Sequence, residues 1–206
     1  HIDAFGLLAK LSLWAPECKV IAIDGLTEGA ACTVLVARGL IDSDSSLMIA
    51  NCDQYIDANI NDYLLEMETQ DLDGLIMTTK ASDPKWSFVG LDRECLVTHV
   101  VEKEVISDEA TVGIYNFKRG GDFVSAADKM ISQDLRVNNE FYVAPTYNQL
   151  IKDNKRIGIF NIGREADGMY GLPSAVLPSD QREPVHARGR AGQPDPRLAG
   201  EPQPHT

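Results

Sequence analysis

The chain has 206 residues, 44% hydrophobic and 24% charged, which is the balance of an ordinary globular domain with room for a sizeable core. Its net charge of -12 excludes a surface built to neutralise nucleic-acid phosphates, though not a pocket for one small anion. No stretch is long and apolar enough to span a membrane and the first residues show no charged-then-apolar leader, so the chain is read as cytoplasmic. Cys18, Cys32, Cys52 and Cys95 lack zinc-knuckle spacing and sit among apolar residues or near strand ends, which predicts buried free thiols.

In chain order, Ile2, Phe5, Leu8 and Leu11 recur at helical spacing before Pro16. The run 18–24 reads as a short buried strand. Residues 27–41 read as one helix with Thr27 as its cap. Leu47-Met48-Ile49-Ala50 is a second strand, and a helix follows, capped by Asn59. Residues 72–80 form a strand. Two antiparallel strands then flank the polar turn Asp92-Arg93-Glu94. Residues 110–118 are a strand, the Gly120-Gly121 pair opens a helix, Pro145 sits in the first turn of another, and 155–162 are the last strand. Strands alternating with helices around an antiparallel insertion predict an α/β fold, a Rossmann-like mixed sheet with helices on both faces. This domain spans 1–171. Of the 10 prolines, those at 173, 178, 184, 194, 196, 202 and 204 fall in a segment without apolar periodicity, so 172–206 is expected to be a disordered tail rich in Pro, Arg and Gly.

Four stretches carry possible chemistry. Gly29 and Ala30 open a helix after a loop, where bare backbone can approach a flat base. The strand 47–50 is followed by Asn51-Cys52-Asp53. Asp53 is either a turn residue or a Mg²⁺ ligand, a cation that needs few protein carboxylates. Glu102-Lys103 end a strand and offer an acceptor for hydroxyls beside a cation. Gly113 interrupts a strand, the mark of a bulge or of a close approach by another group. Taken singly, a well-capped helix and a turn are the better explanations of the first two, and a solvated charged strand end is the plain alternative for the third.

In this order Gly29-Ala30-Ala31, Asp53, Glu102-Lys103 and Gly113-Ile114-Tyr115 resemble the sugar-nucleotidyltransferase family, the nucleoside-diphosphate-sugar pyrophosphorylases, over residues 1 to about 171. The resemblance implies nucleotidyl transfer from an NTP to a sugar 1-phosphate with release of pyrophosphate, assisted by Mg²⁺. It implies Asp53 as metal ligand, Gly29 and Ala30 at the base, Glu102 on the sugar, Lys103 on its phosphate and Gly113 beside the sugar. Asn139 and Glu140 would border the sugar pocket. The family's Gly-rich triphosphate loop with its Arg has no counterpart in residues 1–30, and its late metal Asp cannot be placed; the chain is therefore read as incomplete at its front and as a poor catalyst on its own. The rival readings are a non-catalytic nucleotide-sugar-binding or regulatory domain and a GT-A-like glycosyltransferase. The D-x-D triplets that the last would use, Asp42-Ser43-Asp44 and Asp71-Leu72-Asp73, precede strands rather than follow them.

Overall fold

The computed structural model describes residues 2–52 and 56–163. The predicted tail, 172–206, lies outside the described residues. The elements in order are helices α1 (Ile2–Phe5), α2 (Leu7–Trp14), α3 (Ala30–Leu35) and α4 (Arg38–Ile41), strand β1 (Leu47–Ala50), helix α5 (Ile60–Thr69), and strands β2 (Gly74–Lys80), β3 (Ser87–Leu91), β4 (Val97–Glu102) and β5 (Glu109–Phe117). Helix α6 (Gly120–Ser132), a 3-10 turn (Ala144–Thr146), helix α7 (Tyr147–Lys152) and strand β6 (Ile157–Asn161) complete it.

The six strands form one mixed sheet in the order β4-β3-β5-β2-β6, with β1 also on β5. Only β2 and β6 pair in parallel; the other pairs are antiparallel. The central strands are buried on both faces, and neighbouring residues divide between two cores as the pleat requires. Ile76, Tyr115 and Phe117 face α6 and α7, joined by Phe123, Ala127, Tyr147 and Leu150. Leu75, Met77 and Val112 face α5, joined by Tyr63 and Met67. Phe117 stacks on Tyr147 with ring centroids 4.5 Å apart and meets Phe123 edge-on at 5.2 Å. Each such aromatic contributes about 1.5–3 kcal/mol by leaving water.

Local signals explain most boundaries. Asn59 Oδ1 accepts from the Asn61 N–H at 3.0 Å, the cap expected of α5. In the β3–β4 turn Asp92 Oδ1 accepts from the N–H groups of Glu94 and Leu96, both at 2.9 Å.

Four expectations are corrected. Residues 18–24 form no strand: an apolar run becomes one only beside a partner for its N–H and C=O groups, and no described strand lies alongside. Val20, Ile21 and Ile23 are consequently about 40% exposed and Leu26 is fully exposed. The helix expected over 27–41 is α3 and α4, and its cap is Gly29; the Thr27 hydroxyl instead meets Thr33 Oγ1 at 2.6 Å. The cysteines are free but not buried: Cys18, Cys52 and Cys95 lie in exposed loops and Cys32 is half-buried on α3. At the front, left-handed Gly6 splits the expected helix into α1 and α2, and α2 buries nothing.

Candidate functional site

The sheet forks at β5. One edge of this strand pairs with β1 over residues 114–117 and with β3 at Ala110. Between these partners lies Gly113, in the left-handed region at φ 76°, within the stretch where β5 also shifts register against β2. The predicted interruption is therefore a bulge, and glycine meets its dihedral demand without cost. Where β1 leaves the sheet, the Asn51 N–H donates to the Gly113 carbonyl at 3.1 Å. Asp53 follows two positions later and lies outside the described residues.

On the β3 side of the fork, Ser87 pairs with Glu102. Glu102 is 9% exposed and Oε2 accepts a short hydrogen bond from the Ser87 hydroxyl. Burial pushes its carboxyl above the usual glutamate range, against the opposing pull of the Ser87 hydrogen bond and the Lys103 charge. The buried Tyr115 hydroxyl, 3.0 Å from Thr111 Oγ1, is pushed up to about 12 by burial, with the Glu102 charge adding to the rise.

The chain turns sharply after Glu102. Lys103 has φ 57°, and its N–H donates to the Trp86 carbonyl at 3.0 Å. A non-glycine residue in this region is held by its surroundings. Its Nζ donates to the Tyr142 hydroxyl at 2.9 Å and lies 5.0 Å from the Tyr142 ring centroid. That hydrogen bond raises the lysine pKa, and the Glu102 and Glu140 charges raise it further.

The loop before α3 is stapled to the loop before the 3-10 turn. The Phe141 N–H donates to the Glu28 carbonyl at 2.8 Å, and the Ala31 N–H donates to the Phe141 carbonyl at 3.0 Å. Gly29 sits between them at φ 126°, and a Cβ there would come within 2.5 Å of both Phe141 N and O. The Phe141 backbone thus accounts for this glycine without any base. Arg136 pairs with Glu28 at 2.6 Å and stacks 4.2 Å over the Phe141 ring. Asn138 and Asn139 both have positive φ and close a tight turn, with Val137 and Glu140 exchanging backbone hydrogen bonds.

The structure therefore brings the Gly29-Ala30 loop against Asn139–Phe141, joins Lys103 to Tyr142, and sets Glu102 and Gly113 on the β3 and β1 sides of one fork. At this fork β5 exchanges one strand partner for another, the kind of place where open α/β sheets hold ligands. Sequence reasoning singled out Tyr115 with Gly113 but not Ser87, Arg136 or Tyr142. The hairpin register could have indicated Ser87; nothing local points to Tyr142. The Asp71-Leu72-Asp73 triplet is committed elsewhere, with Asp71 on Lys118 at 2.7 Å and Asp73 on Lys155 at 3.0 Å, at the far end of β5. Among the described residues no group of three or more His, Cys, Asp or Glu could hold a metal, and no helix is long and apolar enough to cross a membrane. A Mg²⁺ held mainly by phosphate oxygens and water needs no such group, so Asp53 with a bound phosphate would suffice for it.

The sequence matches no protein-family model and no curated protein. Solved structures do match. A nucleoside-diphosphate-sugar pyrophosphorylase from Vibrio cholerae RC9 superposes with a TM-score of 0.65 at 24% identity, covering 80% of this chain and 70% of that one. A protein described as a glucose-1-phosphate thymidylyltransferase from Bacillus anthracis, in complex with sucrose, gives 0.61 at 14% identity over 83% and 66%. A UDP-glucose pyrophosphorylase complexed with UDP-glucose gives 0.57 at 14% identity over 78% and 64%. The chain thus spans 64 to 70% of the length of these proteins. At such identities the likeness is one of architecture: the chain has the fold of the nucleotide-diphospho-sugar transferases.

Proposed function

We propose that the domain binds a nucleoside-diphosphate sugar at the fork and serves nucleotidyl transfer between an NTP and a sugar 1-phosphate. The observation that supports the reading is that Glu102-Lys103, at the end of β4, and Gly113, on β5, lie beside the stretch in which β5 exchanges β1 for β3. A sugar 1-phosphate oxygen attacks the α-phosphorus of the NTP, the new P–O bond forms as the bond to the β-phosphate oxygen breaks, and pyrophosphate leaves. Such a reaction asks the protein mainly to align phosphates and balance charge.

In this reading Glu102 receives sugar hydroxyls at Oε1, because Ser87 engages Oε2. Lys103 gives one ammonium hydrogen to Tyr142 and keeps the others for phosphate oxygens. Gly113 lets the sugar lie against bare backbone. Gly29 and Ala30, braced by Phe141, border the base, and Asn139 and Glu140 close the sugar side. Mg²⁺, with Asp53 among its ligands, would supply charge neutralisation on the phosphates. A non-catalytic nucleotide-sugar-binding domain is the second reading, favoured by the position of residues 18–26 outside the sheet, where they offer no phosphate cradle.

Pyrophosphate release from several NTPs with several sugar 1-phosphates, measured with and without Mg²⁺, tests the transfer reading. Magnesium-dependent release lost in Asp53→Ala supports it. Nucleotide-sugar binding without any release assigns the second reading, and neither binding nor release refutes both.

A further inference from the structure

Beneath the fork, three buried hydroxyls lead to the carboxyl of Glu102. Ser87 and Glu102 are register partners on β3 and β4. One strand over, Phe88 faces Ala110, which sets Ser87 opposite Thr111 of β5 on the same face of the sheet. Tyr115 shares that face, because Tyr115 and Thr111 pair with Ile76 and Thr78, two positions apart on β2. In a regular strand, residues four apart would lie about 13 Å from each other. The bulge shortens this: β5 takes four steps where β2 takes two, which brings the pair to about 7 Å. The Tyr115 hydroxyl thus reaches Thr111 Oγ1 at 3.0 Å, and it also hydrogen-bonds Ser87.

Counting protons fixes the direction of these bonds when Glu102 is ionised. Ser87 has one hydroxyl proton and gives it to Glu102 Oε2. It therefore accepts from Tyr115, whose own proton is then committed, so Tyr115 accepts from Thr111. Each hydroxyl points its hydrogen toward the carboxylate, the arrangement in which successive bonds strengthen one another. Thr111, Tyr115 and Ser87 are all buried, and none of them offers a surface to a ligand. The Tyr115 ring packs beside Tyr147 with centroids 6.2 Å apart, a contact that phenylalanine would make as well. Packing thus accounts for the ring at position 115 but not for its hydroxyl.

We infer that Tyr115 and Ser87 are positioning residues for sugar recognition: the hydroxyl relay from Thr111 anchors Glu102 Oε2 and so aims Oε1 at a sugar hydroxyl. The inference rests on the reading of the fork as a nucleotide-sugar site and adds the residues that set its hold on the sugar. The phosphate side has a separate support, since Lys103 is held by Tyr142. A break in the relay therefore weakens the sugar contact and leaves the phosphate contact intact.

The test uses the full chain. Calorimetric titration compares UDP-glucose with UDP and dTDP-glucose with dTDP, and carboxyl-carbon NMR follows Glu102. In wild type at least one sugar conjugate should bind more tightly than its diphosphate. Ser87→Ala should cut that advantage by about tenfold and Tyr115→Phe severalfold, with diphosphate affinity unchanged. Without ligand, both variants should push the Glu102 carboxyl further up, Ser87→Ala the more, because both weaken the donation that opposes burial. A Glu102 titration identical in wild type and both variants would overturn the relay, with no nucleotide sugar involved. A shifted titration with an unchanged sugar advantage would overturn the positioning role and leave the fork reading standing. So would diphosphate affinity that falls in step with that of the conjugate. No sugar advantage in wild type would overturn the fork reading and the positioning role together. Tyr115→Phe removes a single oxygen and keeps the ring, so its result stands even if Ser87→Ala fails to fold.

Discussion

The ammonium of Lys103 donates to the Tyr142 hydroxyl at 2.9 Å, joining the end of β4 to a loop 39 positions further along the chain. This bond heads the causes that raise the lysine pKa. Tyr142→Phe is therefore expected to return the Lys103 pKa toward its ordinary value, read from the titration of labelled lysine side chains. A raised lysine pKa stabilises the fold below the unfolded value, and that contribution fades as pH climbs through the folded one. The variant should thus differ from wild type in Tm at neutral pH and converge with it only at strongly alkaline pH. With Lys103 mostly solvated, the neutral-pH difference should stay within about 1 kcal/mol. An unchanged lysine titration would contradict the hydrogen bond.

Glu102 also has a raised pKa, but here the rise penalises the charged form instead of favouring it. Burial raises its pKa above the usual 4.5, so the folded state disfavours the carboxylate. Its favourable contribution is complete below the ordinary glutamate range and is lost as pH rises through the folded pKa. Glu102→Gln should accordingly gain stability relative to wild type as pH rises above the ordinary glutamate range, and lose that part of the pH dependence. Thermal melts of both proteins across this range check it. A wild type that gains stability over Glu102→Gln as pH rises would mean that Ser87 and Lys103 outweigh burial.

Gly29→Ala places a methyl group 2.5 Å from the Phe141 backbone at a φ of 126°. Neither atom is on a side chain that could swing away, so the two loops must separate. A loss of about 2 kcal/mol or more is expected, seen as a shifted denaturant midpoint. A neutral Gly29→Ala would show that the loops are not stapled.

Much of this architecture is legible in residue order. The β3–β4 hairpin, the Asn59 cap and the glycine bulge in β5 each depend on neighbours a few positions away. The strand expected at 18–24 failed because pairing is not a property of the segment: the same apolar run is a strand beside a partner and an exposed loop without one. The reason for Gly29 was illegible for a similar cause, since the Phe141 backbone that excludes a Cβ arrives from more than a hundred positions away. Glu102 and Lys103 stood out by position, but Ser87 and Tyr142, which fix their side chains, depend on strand register and on loop packing.

The exposed apolar run gives a prediction of its own. Val20, Ile21 and Ile23 are each about 40% exposed, Leu26 is fully exposed and Trp14 is 72% exposed. The chain should bind anilinonaphthalene sulfonate in its native state. Ile21→Lys with Ile23→Lys should reduce that fluorescence and change stability by no more than about 0.5 kcal/mol per site. A large loss of stability would mean that these side chains are packed in solution.

The central claim is that the fork at β5 is a nucleotide-sugar site organised by Lys103 and Glu102. Calorimetric titration of the full chain in Mg²⁺ with a panel of nucleoside-diphosphate sugars, UDP-glucose and dTDP-glucose among them, tests it most directly. At least one should bind saturably, and Lys103→Ala should weaken it by about tenfold to a hundredfold, the worth of a charge-assisted hydrogen bond. Binding of none, or binding indifferent to Lys103→Ala and Glu102→Ala, would contradict the account.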